Sequence, residues 1–349
     1  MKRYASACFA TCLLLILSCS AKQSDPTPTP TTSGYTPPAV AASFAKGADI
    51  SWVTQMEAGG AKFYDKTGKQ QDLFILMKSL GMNSIRLRVW VNPSDGWCNT
   101  ADVLAKAQRA KTAGLKILLD FHYSDVWADP GHQAKPAAWA QLSFTNLVSA
   151  LGTYTTNTLT TLKNAGIVPD WVQVGNETND GMLWEDGRAS TNMASFAALV
   201  KAGYSAVKSV DPNTKVIVHI SNGYDNSLFR WIFDGLKANG ATWDIIGMSL
   251  YPSITNWQTL DTQCQTNMND MIARYNTPVM IVEVGMDVNS PQTCRDFLTD
   301  IITKTNSIPN GNGLGVFYWE PESYNWNGYS LGAFDNTNKP TIALDAFGN

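Results

Sequence analysis

Two glutamates stand where apolar, strand-like runs come to an end: Glu177 in DWVQVGNETNDG and Glu283 in VMIVEVG. A carboxylate at the margin of a core is costly unless it is paired or has chemistry to perform. Two such groups on opposite walls of one cleft are the minimum equipment for glycoside hydrolysis. With carboxyls about 5–5.5 Å apart, one attacks the anomeric carbon while the other protonates the leaving oxygen; at about 6.5–9.5 Å a water fits between them and configuration inverts. Either route needs one carboxyl kept neutral and the other ionised. Arg86 or Arg88 would hold Glu283 charged, and Asn176 would offer its amide to a sugar 2-hydroxyl.

Other chemistries find less support. The chain has three His (His122, His132 and His219) and neither HxH nor HExxH spacing, so no catalytic metal and no cofactor are expected. No GxSxG turn offers a serine nucleophile. The Gly-rich text from Asn310 to Gly313 precedes a strand-like run rather than a helix, and reads as a turn, not a phosphate loop. A net charge of −3 with 16% charged residues gives nucleic acid no electrostatic footing. The 12 Trp exceed what a core alone needs, and some are expected to face flat apolar ligand surfaces such as sugar rings.

The elements that must carry these residues repeat along the chain. Strand-like segments AKGADIS, NSIRLRVW, KILLDFHY, DWVQVGN, KVIVHIS, DIIGMSLY, VMIVEVG and LGVFYWE alternate with helical runs such as DLFILMKSLG, ADVLAKAQRAKTAG and SFAALVKAGYSAVKSV. Repeated αβ alternation predicts a parallel sheet covered by helices, and eight units predict an α/β fold of the (β/α)8 TIM-barrel type. An open doubly wound sheet is the competing architecture, but no GxGxxG follows the first strand. Arg86 and Arg88, His122, Asn176–Glu177, His219, Tyr251, Glu283 and Trp319–Glu320 fall at or near the carboxyl ends of seven segments. In a barrel those ends ring one cleft.

Ahead of the barrel lie an address and a leash. Lys2 and Arg3 precede the apolar run Cys12–Leu17, and Ile16-Leu17-Ser18-Cys19 resembles a bacterial lipobox, making Cys19 the expected lipidation site. Residues 20–43 are rich in Pro and Thr and read as a flexible tether, leaving 44–349 as the catalytic domain. The lipid anchor is the only membrane contact expected, with the protein extracytoplasmic on the outer-membrane surface of a Gram-negative cell. Of six Cys, three belong to the leader; Cys98, Cys264 and Cys294 remain, with Cys264–Cys294 the favoured pair.

The runs SIRLRVWVNPSDG, LLDFHYSDVWADPGHQAKPAAW, VQVGNETNDGMLWEDGR and GVFYWEPE resemble the family 53 glycoside hydrolases, which are endo-β-1,4-galactanases, over Phe44 to Asn349. That resemblance implies a retaining enzyme with Glu177 as acid/base and Glu283 as nucleophile. It sets Arg86, His122, Asn176, Tyr251 and Trp319 around the reacting sugar, Tyr251 bonding the nucleophile and Trp319 flooring the pocket. Trp90, Asn92, Asp125, Trp127 and Trp184 are expected to bind substrate or shape the cleft. The chain departs from the family at His219-Ile220-Ser221, where an Asp is usual, at Asn179-Asp180-Gly181, at Gly285-Met286 and in a short final loop, so a relatively open cleft without an obligatory metal is expected. The implied partners are β-1,4-galactan and galacto-oligosaccharides, met by a monomer. The competing readings are a barrel endo-glycanase for mannan, xylan or glucan, and a glycan-binding lipoprotein without catalysis.

Overall fold

In SIRLRV, Ile85, Leu87 and Val89 occupy one face of the strand and Ser84, Arg86 and Arg88 the other, yet every residue is buried. Such a strand needs apolar cover on one side and a lined interior on the other. The computed structural model, which describes residues 35–348, supplies both. The chain runs through β1 (Ala45–Asp49), α1 (Val53–Ala58), a hairpin of β2 (Phe63–Tyr64) and β3 (Gln70–Gln71), α2 (Leu73–Ser79), β4 (Ser84–Val89) and α3 (Thr100–Ala113). Then follow β5 (Lys116–Phe121), α4 (Phe144–Asn164), β6 (Trp171–Val174), α5 (Ala189–Val210), β7 (Lys215–Ile220) and α6 (Asn226–Ala238). It closes with β8 (Ile245–Leu250), α7 (Trp257–Tyr275), β9 (Val279–Val284), α8 (Pro291–Asn306) and β10 (Gly313–Trp319).

The strands close into a barrel in the order β1-β10-β9-β8-β7-β6-β5-β4, with parallel pairing throughout. All eight strand-like segments of the sequence are barrel strands; the small β2–β3 hairpin is an addition that two-residue strands gave no pattern to announce. Outward side chains such as Ile85, Leu119, Val172 and Val218 join the helices in one large core. Inside, Leu118, Trp171, Ile217, Ile245, Met280 and Phe317 form a separate apolar plug. Gly47 makes room for it, since a Cβ there would come within 2.2 Å of the Phe317 ring. Above the plug the inward positions turn polar, and that layer is the floor of the site.

Asp72 caps α2 by accepting from the Phe74 and Ile75 N–H groups, and α3 stops at Gly114 in the left-handed conformation. Residues 37–43, assigned to the tether, include contacts with the catalytic unit: the Ala41 N–H donates to Asn306 Oδ1 at 3.1 Å. The leader, Cys19 and residues 20–34 lie outside the described residues.

The expected Cys264–Cys294 bond is not formed; both thiols, like Cys98, are free and buried. The helices aim them at different strands. Cys264 on α7 sits against Gly223 and the end of β8, whereas Cys294 on α8 lies 3.5 Å from the Tyr318 hydroxyl of β10.

Asp261, fully buried on α7, carries a titration with a measurable consequence. Burial, with the Asp300 carboxyl adding to it, pushes its pKa from 3.8 up to about 9. Between those values the folded state holds a proton that the unfolded chain releases, so stability falls as pH rises. Asp261→Asn is expected to raise the Tm by several degrees at pH 8 and to leave it nearly unchanged near pH 4. Thermal unfolding at both pH values measures it, and an unchanged Tm at pH 8 would contradict the buried neutral acid.

Candidate active site

The run that ends β6 places Glu177 by two left-handed residues. Gly175 has φ 85°, and a Cβ on it would approach Thr178 to 2.6 Å. Glu177 itself has φ 44°, a conformation that costs a non-glycine residue about 1–3 kcal/mol and is held by its surroundings. Those holding bonds are the Thr178 N–H to the His219 carbonyl at 2.9 Å and the Gln133 amide to the Asn176 carbonyl at 2.8 Å. Chain reversal at the mouth of the barrel turns the Glu177 side chain into the cleft.

Glu283 reaches the same cleft by a different device. In strict alternation Val279, Ile281 and Glu283 would share the outward face. Across the β8–β9 ladder, however, Met248 pairs with Ile281 and the next residue, Ser249, pairs with Glu283. This irregularity absorbs Val282 and re-aims Glu283 inward beside Ser249, as bulges do near the rims of barrels. There the Arg86 guanidinium forms an ion pair with Glu283 Oε1 at 2.8 Å, and the Tyr251 hydroxyl donates to Oε2 at 2.8 Å.

Arg86 is the charge centre of the barrel floor. It is fully buried, and besides Glu283 it pairs with Asp49 at 2.7 Å and Asp120 at 2.9 Å. It also donates to Asn176 Oδ1 at 2.8 Å. The sequence leaves open whether Arg86 or Arg88 faces Glu283; the structure assigns Arg86, while Arg88 pairs with Glu320. One guanidinium set against three carboxylates leaves negative charge in excess, which favours protonating any further acid nearby.

Glu177 is that further acid. Burial pushes its carboxyl up to about 7, with the charges of Asp129 and Asp120 adding and Ser249 and Arg86 opposing. Burial also raises Glu283, against the pull of Arg86, and the two carboxyls raise each other. The pair therefore shares one proton near neutrality, and the donors decide its seat. Glu283 receives a cation and a phenol, and the ion pair favours its charged form; the proton belongs on Glu177. Tyr251 stays a donor because burial, then Glu283, raises its hydroxyl well above the usual range.

Two histidines support the site in fixed orientations. His122 Nδ1 accepts from Trp90 Nε1 at 3.2 Å and from the Ala128 N–H at 3.0 Å, so its proton sits on Nε2, 3.0 Å from Asp120. His219 is held far below its usual pKa by burial, Arg86 and His122. Its Nε2 lies 2.7 Å from Ser249 Oγ, which in turn touches Glu177.

A cleft of about 360 Å³ opens over this floor. His122, Trp127, Asn176, Glu177, Tyr251, Glu283 and Trp319 of the sequence-derived set line it, with Arg86 buried beneath. Trp90 supports His122 from behind. Asn92 and Asp125 are clasped to each other: Asp125 accepts from the Asn92 N–H and the Ala137 N–H, both at 2.9 Å, and so pins two loops. Trp184 is outside the cleft lining, its ring 3.9 Å beneath the Arg188 guanidinium. Sequence reasoning missed Asp129, Tyr329 and Leu331, which also line the cleft. Asp129 lies inside the SDVWADP motif and was within reach of notice; Tyr329 and Leu331 come from the loop after β10, which has no pattern of its own.

A parallel eight-stranded barrel with two unlike carboxyls in a cleft at its carboxyl end defines a glycosidase of the (β/α)8 class. The chain belongs to glycosyl hydrolase family 53, whose family model matches residues 45–347. An arabinogalactan endo-β-1,4-galactanase of Cellvibrio japonicus is 36% identical, covering 80% of this chain and 80% of its own. One from Thermothelomyces thermophilus is 34% identical over 79% of this chain and 89% of its own. A solved fungal β-1,4-galactanase superposes with a TM-score of 0.82 at 31% identity, covering 88% of this chain and 99% of the other.

Proposed function

We propose that the protein is a retaining endo-β-1,4-galactanase acting on galactan side chains of pectin and on galacto-oligosaccharides. The observation that carries the reading is the unequal surroundings of the two carboxyls: Glu283 is gripped by Arg86 and Tyr251 at 2.8 Å each, a charge partner and a donor that favour its ionised form, whereas burial is the largest influence on Glu177 and raises its carboxyl. Glu283 attacks the anomeric carbon, the glycosidic C–O bond breaks, and the Glu177 proton goes to the leaving oxygen. Glu177, now a base, takes a proton from water; the water oxygen attacks the anomeric carbon and Glu283 leaves. Two inversions give retention. Arg86 and Tyr251 hold the nucleophile charged and oriented, and Trp319 and Trp127 provide flat faces for the sugar. The named activity of the relatives supports galactan over other glycans. The Ile16–Cys19 motif supports a lipid-anchored, extracytoplasmic location, where a polymer is accessible.

Digestion of linear β-1,4-galactan tests this. The chain length is expected to fall at once, with short galacto-oligosaccharides released first as the β-anomer by NMR, and mannan, xylan and glucan left intact. Intact galactan would overturn the substrate, and the α-anomer the mechanism.

A further inference from the structure

Arg88 is fully buried yet takes no part in the chemistry above. One of its terminal nitrogens pairs with Glu320, but Nε and the other terminal nitrogen meet no hydrogen-bond acceptor among the described residues. What surrounds them is aromatic: the guanidinium carbon lies 4.3 Å from the Trp127 ring centre, 5.2 Å from Trp52 and 5.4 Å from Trp90. Ring faces attract the cation but replace only part of its lost hydration. An apolar residue of this size would make a better core, so stability alone does not account for an arginine here.

The rings it touches form one continuous wall. Trp127 packs edge-on against Trp90 at 5.1 Å and against Trp319 at 5.7 Å, and Trp52 joins Trp319 at 5.2 Å. Trp127 and Trp319 line the cleft. Glu320 directly follows Trp319 and also accepts from the Trp52 N–H at 3.2 Å, so a single ion pair ties β4, the turn after β1 and the end of β10 to the wall. We propose that Arg88, clamped by Glu320, is a positioning residue that holds Trp127 as a flat sugar platform in the cleft. The inference rests on the proposed function for the identity of the sugar. Lysine cannot stand in: its ammonium is a point charge that cannot lie flat against several rings.

The test is a cycle of R88K, W127A and the double variant, assayed on galactan beside the wild type. R88K is expected to raise KM about tenfold with kcat within about threefold, and the double variant to match W127A within about twofold, because Arg88 acts through that ring. E320Q, which releases the guanidinium without touching a ring, should reproduce the KM rise and carries the test if R88K fails to fold. An unmoved KM in these variants, a loss confined to kcat, or additive effects in the cycle would overturn the proposal. A wild type inert on galactan would instead sink the proposed function.

Discussion

Glu283→Gln is expected to lower kcat on galactan by about 10⁴-fold or more while the protein folds and binds substrate as before. An amide has no charge with which to attack the anomeric carbon, so the covalent step is lost outright. The fold tolerates the change because Arg86 keeps Asp49 and Asp120 as partners at 2.7 and 2.9 Å, and Tyr251 can donate to the amide oxygen as it does to the carboxylate. Steady-state kinetics with binding of galacto-oligosaccharide to the inactive variant measures both halves. A loss of only a few fold would remove Glu283 as nucleophile.

Glu177→Ala is expected to cost about 10²–10⁴-fold in kcat, the range of a positioned acid and base. Its signature is in two controls. On an aryl β-galactoside, whose phenolate leaves without needing a proton, azide should restore turnover and yield the β-galactosyl azide, since a small anion needs no base to attack an intermediate still held by Glu283. The pH profile should change as well. In the wild type only the neutral acid hands over a proton, so activity falls as pH rises through about 7. Without Glu177 that alkaline limb should vanish. A variant that keeps the limb, or ignores azide, would assign the proton to another group.

Much of this architecture was legible beforehand because it rests on local periodicity. The outer face of each strand must be apolar to meet the helices, and all eight strands announced themselves as short apolar-rich runs between helical ones. The site was legible because the polar residues interrupt that pattern near the carboxyl ends: His122, Asn176, Tyr251 and Trp319 meet both glutamates in one cleft. Where function and loop packing share the same residue types, the reading was less selective. Asn92 and Asp125 pin loops together, and Trp184 stacks under Arg188, yet in a string of letters they look no different from Trp127.

The sequence by itself determined the eight-unit barrel, the two carboxyls and the ends of the strands that bear them, since those follow from patterns a few residues long. Tertiary structure alone decided which way Glu283 points, which arginine it meets, where the three cysteines sit and that Tyr329 and Leu331 wall the cleft. The reason is register. A one-residue slip in a parallel ladder sends a side chain to the opposite face, and the slip at Val282 shows only in how β9 pairs with β8 and β10.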